Sequence, residues 1–489
     1  MNKQENIDIF ALTDCHQEAR KLCILMSGII KRAQKNGKNT LICDCGDLFK
    51  GIYDRQLCVN SYLELRRQLP EAKMVFALGN NDFGFNSEHI KFLQQTTRRF
   101  NQANIHVLCA NLKDMSTGKC PYWADPYVLL DINGKKIMIT AFCVNYIHLQ
   151  RYNLELCDIT QTFEKLADTV KHIEPDAFIV LNHALRTSST EIWNAAQKCG
   201  VRIDLIIGGH EHSAVEPNWE QRTFYPQAFG RTMLHFTLEY LPNATTLRLN
   251  ETVSSKTEPL NPIFATKLEE YENKAGLNIP VAKSTLDLER TYSDACSLGS
   301  FVADRMREAA NADIAFLSTG YLTHALRYEK DKILTVYNLE RVLSAETPVQ
   351  TIVLSPKTLK AVLNNAIRYR YKQVYGNTRF LQCSSNMGMV CAKDADNFGE
   401  IKQIFINNEP LLDTDGNPLH PNDEYLCAID PFVGSGEIGF DMLRAITKET
   451  LLKHNSLVKI KDLIFRAVQD AEKKYPAGSH YPKTKIIDL

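Results

Sequence analysis

IDIFALTDCH, residues 7–16, is an apolar run that ends in two side chains able to bind a metal ion, Asp14 and His16. The apolar part has the length and composition of a buried strand. In an extended segment alternate side chains point to the same face, so Asp14 and His16 can close on one ion. The same arrangement, an apolar run followed at once by polar side chains, recurs along the first half of the chain.

Four further polar clusters follow apolar runs. TLICDC precedes Gly46-Asp47, MVFAL precedes Gly79-Asn80-Asn81-Asp82, FIVL precedes Asn182-His183, and IDLII precedes Gly208-Gly209-His210-Glu211-His212. Ligands in open α/β sheets gather beyond the carboxyl ends of the strands, where glycine lets the chain turn sharply. A single Asp or His at a strand end is more often a cap or a packed core residue, so the prediction of one shared site depends on all five clusters.

The donors in these clusters suit a pair of hard or borderline divalent cations. Two such ions held about 3.5–4 Å apart can clamp a phosphoryl group and activate a water molecule, provided that one carboxylate spans both. We predict that Asp47 is this bridging carboxylate. The complete predicted ligand set is Asp14, His16, Asp47, Asn80, His183, His210 and His212. This set of nitrogen and oxygen donors favours Mn, Zn, Fe or Co and needs no thiolate.

The order of the motifs, DxH, GD, GN(H)(D/E), NH and GHxH, resembles the signature of calcineurin-like metallophosphoesterases. The second half of the chain resembles the C-terminal domain of the 5'-nucleotidase family, which includes UDP-sugar hydrolases and 2',3'-cyclic-nucleotide phosphodiesterases. Three stretches carry this second resemblance, CSLGS at 296–300, ADIAFL at 312–317 and LSPKTL at 354–359.

The resemblance also implies a domain organisation. Strand-like runs alternate with amphipathic helical stretches up to about residue 250, which indicates a layered α/β domain. The family relationship makes this domain, residues 1–253, a four-layer α/β/β/α sandwich. A linker helix region at 254–290 and a second α/β domain at 291–489, which supplies substrate specificity in the family, complete the expected organisation.

The third motif departs from the family pattern at two positions. The family histidine that contacts the phosphate and assists the leaving group is Asn81 here, and the aspartate that orients it is Gly84. An amide can donate a hydrogen bond to a phosphate oxygen, but it cannot deliver a proton near neutral pH. We therefore predict phosphate contacts from Asn80 and Asn81, with Asp47 and His210 holding the catalytic geometry. We expect the specificity to be shifted towards phosphodiesters, anhydrides or activated esters.

Candidate substrate-binding residues lie in the second half of the chain. In related 5'-nucleotidases two aromatic rings clamp the base, and Phe380 and Phe432 match those positions. Core packing is an equally good explanation for Phe380. The usual arginine motif is altered and places Thr323 at the arginine position, so Arg327 and Arg379 are the candidates for holding the nucleotide.

The composition is that of an ordinary globular protein, with 44% hydrophobic residues and 57 basic residues balancing 57 acidic ones. Zero formal net charge provides no field to attract nucleic acid or an anionic membrane. No apolar run approaches the roughly 20 residues that span a bilayer. The N-terminus lacks a signal-peptide pattern and the fourteen cysteines are scattered, so we expect reduced thiols and a cytoplasmic location. The sequence does not specify an oligomeric state.

These observations predict a metal-dependent phosphoric ester hydrolase, similar to the 5'-nucleotidases, that acts on a nucleotide or a related small phosphoester. The alternative is a binding protein that keeps the metal and nucleotide sites but has weakened catalysis. Retention of every predicted metal ligand favours the enzyme, whereas the changes at Asn81 and Gly84 favour the alternative.

Overall fold

The chain divides into two compact units, Met1–Tyr271 and Glu272–Leu489. The structure, a computed structural model, describes residues 6–16, 18–33, 37–49, 54–84, 87–144, 149–212, 215–241, 244–344, 347–372, 379–436, 439–444 and 455–489. Every helix among these residues is too short or too polar to cross a lipid bilayer.

The first unit alternates strands and helices. Its strands are β1 (Ile7–Leu12), β2 (Thr40–Asp44), β3 (Lys73–Ala77), β4 (Ile105–Leu108), β5 (Leu112–Asp114), β6 (Tyr127–Ile132), β7 (Lys135–Cys143), β8 (Leu154–Leu156), β9 (Ala177–His183), β10 (Leu205–Gly208), β11 (Thr223–Phe224), β12 (Thr232–Leu241) and β13 (Ala244–Ser254). Its helices are α1 (Ala19–Ala33), α2 (Arg55–Gln68), α3 (Ser87–Gln102), α4 (Ile159–Ile173), α5 (Arg186–Cys199) and α6 (Pro262–Lys274), which continues into the second unit.

Two large sheets pack face to face in this unit, one with the strand order β13-β12-β1-β2-β3-β4 and the other with the order β11-β10-β9-β7-β6. The alternation of side chains along β1 shows how the first sheet is covered. Ile7, Ile9 and Ala11 contribute to the core between the sheets, whereas Phe10 and Leu12 contribute to the core on the opposite face. A strand buried on both faces reads as a nearly continuous apolar run, which is what this segment shows.

Helices cover the outer face of each sheet. α1 contributes Leu22 and Met26 to the core on the first sheet. α4 and α5 contribute Phe163 and Ile192 to the core on the second sheet. The layers therefore run helix, sheet, sheet, helix, and the predicted α/β/β/α sandwich is confirmed.

Parallel pairing brings the polar clusters to the carboxyl ends of neighbouring strands. β2 pairs in parallel with both β1 and β3, and β9 pairs in parallel with β10. Asp14, Asp47 and Asn80 follow the ends of β1, β2 and β3, whereas His183 is the last residue of β9 and His210 follows β10. This is the position at which α/β sheets bind ligands.

The second unit is also an α/β structure. Its strands are β14 (Pro280–Lys283), β15 (Leu286–Asp287), β16 (Ile314–Ser318), β17 (Ile333–Thr335), β18 (Pro348–Leu354), β19 (Leu381–Cys383), β20 (Met387–Lys393), β21 (Gly399–Ile406), β22 (Glu409–Pro410), β23 (Tyr425–Ile429), β24 (Asn455–Lys459), β25 (Ser479–His480) and β26 (Lys485–Asp488). Its helices are α7 (Ser297–Ala309), α8 (Val336–Glu340), α9 (Pro356–Ile367), α10 (Pro431–Gly434) and α11 (Ile460–Lys474).

The larger sheet of this unit has the order β19-β16-β23-β18-β24, and a second sheet has the order β22-β21-β20-β26. Side chains alternate along β16 as they do along β1. Ala315 and Leu317 belong to one hydrophobic core, and Ile314 and Phe316 belong to another. The predicted second α/β domain is confirmed, whereas the predicted boundaries of the first domain (1–253), the linker region (254–290) and the second domain (291–489) stay predictions.

Candidate metal centre

Four of the predicted ligands, three buried and one partly buried, form a cluster in the first unit. The ligating atoms of Asp14, His16, Asp47 and His212 all lie within 4.8 Å of one another. His212 Nε2 lies 3.0 Å from Asp14 Oδ1 and 2.6 Å from His16 Nε2. Asp14 and Asp47 are almost completely buried, and a buried carboxylate requires compensating positive charge or hydrogen bonds. The convergence of two imidazole nitrogens and two carboxylates therefore fits a shared cation.

The remaining three predicted ligands lie beside this cluster. His183 Nε2 is 3.2 Å from Asp47 Oδ2, and His16 Nε2 is 3.7 Å from the same oxygen. His210 Nδ1 lies 2.8 Å from Asn80 Oδ1. Asp47 thus lies close to one donor of the four-residue cluster, His16, and to one of the remaining three ligands, His183.

His183 has the arrangement expected of a metal-binding imidazole. Its Nδ1 pairs with the carbonyl oxygen of Cys45 at 2.7 Å, which fixes the orientation of the ring and directs Nε2 towards the carboxylates. This Nε2 atom is buried and makes no hydrogen bond of normal geometry to any residue that the structure describes. A divalent cation would complete its coordination, so the donor set fits the metal ions that the resemblance implies.

The charges of these residues depend strongly on one another. Burial opposes ionisation of Asp14, but His183, His16 and His212 outweigh it and hold the pKa of Asp14 well below its usual value. Burial also opposes ionisation of Asp47, and His183 and His16 nevertheless lower its pKa. In His183 burial lowers the pKa, but Asp47 and Asp14 raise it to about 10. His183 and the two carboxylates thus each favour the charged form of the other, and a metal ion that binds Nε2 would take the place of a proton there.

Five ligand residues have an unusual backbone conformation. The φ angles of Asp14, His16, Asp47, His210 and His212 are 48°, 48°, 57°, 80° and 55°. This left-handed region costs a residue other than glycine on the order of 1–3 kcal/mol, and such residues cluster at functional sites. Glycine would adopt these angles freely but has no side chain with which to bind an ion.

Two glycines allow the ligand loops to approach one another. A Cβ atom on Gly79 would lie 2.2 Å from Asp47 Oδ1, and one on Gly209 would lie 2.3 Å from Thr13 Oγ1. Both distances are far inside van der Waals contact. The glycines of the GN and GH motifs are therefore required by packing around the ligands.

Asn81 holds Asp47 through two hydrogen bonds. Its backbone N–H donates to Asp47 Oδ1 at 2.7 Å, and its side-chain amide donates to Oδ2 at 2.6 Å. Gly84 has a φ of 62°, and a Cβ atom there would lie 2.4 Å from Cγ of His89. His89 thus occupies the space that a side chain at position 84 would need. The predicted contact between Asn81 and the phosphate stays a prediction.

Asp82 is a structural residue of the site to which the sequence assigned no role. Its carboxylate accepts hydrogen bonds from the backbone N–H groups of Asp47 and Gly79, at 2.9 and 2.8 Å, and of Phe49 at 3.0 Å. It therefore joins the loop after β2 to the loop after β3. Asp82 is the acidic residue at the end of the GN(H)(D/E) motif, and this position is the sequence feature that could have indicated its role.

The two candidate aromatic residues of the second unit have different surroundings. Phe432 is partly exposed, and its ring centroid lies 6.4 Å from that of Tyr321. Phe380 is only 1% exposed and belongs to a hydrophobic core with Phe316 and Leu363. Core packing, the alternative that the sequence left open, describes the position of Phe380.

The two candidate arginines already have contacts. Arg327 forms ion pairs with Glu289 at 2.7 Å and Asp287 at 3.3 Å. The guanidinium of Arg379 lies over the ring of Tyr369, 4.9 Å from its centroid. Their predicted role in holding a nucleotide stays a prediction.

A third arginine, Arg290, contacts the altered motif. Its Nε donates to the carbonyl oxygen of Leu322, the residue before Thr323, and its guanidinium stacks 3.6 Å from the centroid of Tyr292. Its Nη2 atom is buried and makes no hydrogen bond to any described residue. Arg290 precedes the CSLGS stretch, and nothing in its local sequence distinguished it from other arginines.

Comparisons with known proteins add two relatives and one solved structure. Endonuclease YhcR of Bacillus subtilis (strain 168) is 24% identical over 368 residues, which are 69% of this chain and 29% of that protein. Trifunctional nucleotide phosphoesterase protein YfkN of the same organism is 27% identical over 350 residues, which are 65% of this chain and 22% of that protein. The chain thus spans less than a third of the length of either relative.

The crystal structure of a 5'-nucleotidase precursor from Thermus thermophilus covers 99% of both chains with a TM-score of 0.72. At 16% identity, this likeness shows the fold. The calcineurin-like phosphoesterase family matches residues 7–214, and the 5'-nucleotidase C-terminal domain matches residues 275–445. The chain therefore combines a calcineurin-like phosphoesterase domain with a 5'-nucleotidase C-terminal domain that follows it.

Proposed function

We propose that this protein hydrolyses phosphoester bonds of nucleotides or related small molecules with two divalent metal ions. The observation that carries the proposal is the buried convergence of Asp14, His16, Asp47 and His212. His183, His210 and Asn80 lie beside this cluster. When bound, the two cations would polarise the phosphoryl oxygens and activate the attacking water.

The residues of the chain set the geometry in which this chemistry takes place. Asp47 lies between the two groups of donors, and the two hydrogen bonds from Asn81 orient its oxygens. The carbonyl of Cys45 orients His183. These supporting groups lie on the loops after β2 and β3, which Asp82 joins, and they would hold the ligands in place for the ions.

We further propose that the specificity favours substrates with good leaving groups. A general acid contributes about 10²–10⁴-fold to such reactions, and the contribution grows with the basicity of the leaving oxygen. Asn81 cannot supply a proton, and its side-chain amide already donates to Asp47. Aryl phosphodiesters and phosphoanhydrides need less protonation of the leaving group than a nucleoside monophosphate does.

The second unit would bind the nucleoside part of the substrate through Phe432. Stacking of an aromatic side chain on a base contributes about 1–3 kcal/mol in nucleic-acid complexes.

Small molecules rather than nucleic-acid polymers are the proposed substrates. We also propose a cytoplasmic location. The fourteen free thiols agree with a reducing compartment.

A hydrolysis screen that measures the phenol, alcohol, phosphomonoester or inorganic phosphate released from each substrate tests the proposed activity. Metal-free protein is reconstituted with Mn²⁺, Zn²⁺, Co²⁺ or Mg²⁺ and offered nucleotides, cyclic nucleotides, nucleotide sugars and aryl phosphodiesters. We expect metal-dependent turnover that is faster for the activated esters than for AMP, and lost in the Asp47→Asn variant. Protein that binds two ions but turns over none of these classes would instead be the catalytically weakened binding protein.

A further inference from the structure

Phe229 lies against the first group of metal ligands. The centroid of its ring is 5.2 Å from that of His16, with the planes tilted by 35°, and 4.9 Å from that of His212, with the planes at 71°. Its backbone N–H donates to the carbonyl oxygen of Asp14 at 2.7 Å. One residue outside the ligand set therefore contacts three of the four residues in the buried cluster.

The backbone of Phe229 is unusual for an aromatic residue. Its φ angle is 62°, in the left-handed region that bulky side chains rarely adopt. The ring is partly exposed and belongs to none of the hydrophobic cores found among the described residues. Ordinary core packing therefore gives no reason for a phenylalanine at a position that glycine or asparagine would occupy with less strain.

We propose that Phe229 is a positioning residue for the metal centre. The torsion that rotates an imidazole ring has broad minima, so an unsupported histidine samples several ring orientations. The Cys45 carbonyl sets the orientation of His183, and Phe229 does the same for His16 and His212, with both Nε2 atoms facing one point. The backbone strain at Phe229 is thus the structural cost of placing a flat ring against the two imidazoles.

This inference rests on the proposed binding of metal by these residues, and its test is therefore metal affinity rather than turnover. Phe229→Gly removes the ring and relieves the strained φ. Phe229→Asn does the same with a residue that tolerates the left-handed region. Glu174→Gly is the matched control, because Glu174 has a φ of 48° and is exposed at the end of α4.

Two measurements on each variant separate positioning from packing. The first is the thermal midpoint of the protein in EDTA, and the second is the affinity of each binding step for Mn²⁺ by titration calorimetry. We expect Phe229→Gly and Phe229→Asn to keep or raise the midpoint while one binding step weakens about 10–100-fold, as is typical when a partner of a ligand is lost. Phe229→Tyr should retain wild-type affinity, and Glu174→Gly should change only the midpoint.

Wild-type Mn²⁺ affinity at both steps in either ring-removing variant would overturn the inference. A lowered midpoint with unchanged affinity would also overturn it, because the ring would then be a packing residue. Failure of the wild-type protein itself to bind Mn²⁺, Zn²⁺ or Co²⁺ would overturn the proposed function, an outcome distinct from a loss confined to the variants.

Discussion

Asp47 Oδ2 lies close to donors from both groups of predicted ligands, 3.7 Å from His16 Nε2 and 3.2 Å from His183 Nε2. An Asp47→Asn variant keeps the shape of the side chain but loses the charge and one oxygen donor. We expect the variant to retain at most one divalent ion per chain. Metal analysis after dialysis measures this directly, and full occupancy would show that Asp47 does not bridge two ions.

Asp304 provides a matched control for this experiment. It is also a buried aspartate, but it accepts hydrogen bonds from the backbone N–H of Ser385 and the hydroxyl of Tyr481 in the second unit. Asp304→Asn should lower the stability of the protein and leave its metal content unchanged.

The proposed specificity depends on Asn81, which cannot donate a proton to the leaving group. Asn81→His should raise AMP hydrolysis proportionately more than hydrolysis of an aryl phosphodiester, because only the basic leaving group needs the proton. The ratio of the two kcat/KM values is the measurement. The obvious companion change, Gly84→Asp, is unsuitable, because its Cβ atom would overlap His89. A wild-type enzyme that already turns over AMP as fast as the aryl ester would contradict this prediction.

Phe432 and Phe380 should respond differently to truncation. Phe432→Ala should raise KM for a nucleotide and leave turnover of a small aryl phosphate nearly unchanged, because the ring offers binding and no chemistry. Phe380→Ala should instead destabilise the protein by about 3–5 kcal/mol, as expected for a fully buried ring. Steady-state kinetics on both substrates, together with denaturant unfolding, distinguish the two roles. Equal kinetic losses for Phe432→Ala on both substrates would make it a packing residue.

At the level of elements, strand β26 is held to the rest of the second unit by an ion pair and by its pairing with β20. Arg370 Nη2 lies 3.0 Å from Asp488 Oδ2, and the hydroxyl of Tyr371 donates to Asp488 at 2.6 Å. Arg370 and Tyr371 lower the pKa of Asp488 against a smaller opposing effect of burial. A lowered folded-state pKa stabilises the protein above the unfolded pKa, and this stabilisation is lost as the pH falls through the folded value.

We therefore expect Asp488→Asn to be less stable than the wild-type protein at neutral pH, by a modest amount because the pair is partly exposed. The difference in unfolding free energy should shrink as the pH falls below the ordinary aspartate value of 3.8. Urea unfolding at a series of pH values measures it, with the exposed Asp423→Asn as control. A difference that is independent of pH would show that the ion pair is not its source.

The strands and the residues that follow them could be predicted because both signals are local. Apart from Asp8, a run such as IDIFAL is apolar on both faces, which is typical of a strand that is covered on both faces. The left-handed angles of Asp14 and His212 could not be predicted, because they depend on loops that meet only after folding. The contacts of Phe229 and Arg290 could not be predicted for the same reason, because they are made with residues that are distant in the sequence. Phe380 fitted a family motif and a core position equally well, and only burial separates the two.

At the level of the whole molecule, the two units have separate hydrophobic cores, and the metal ligands all belong to the first. A ligand that binds only the folded state stabilises it by about 2.7 kcal/mol at a hundred times its Kd. Calorimetric scans should therefore show that added Mn²⁺ raises the unfolding temperature of the first unit and leaves that of the second unchanged. Asp47→Asn should reduce the shift. An equal shift of both units would show that they unfold as one cooperative body.

The order of the ligands along the chain has a consequence for synthesis. His16 and His212 are 196 residues apart. At the roughly 5–20 residues per second of translation, the ribosome needs about 10–40 seconds between them. During that interval the nascent chain carries both aspartates but not the histidines of the last motif. We therefore expect the first unit to bind metal ions with high affinity only after its last ligands have left the exit tunnel of the ribosome. We therefore expect the bound metal to be set by the ions that surround the folded first unit, rather than by those present when Asp14 and His16 are synthesised.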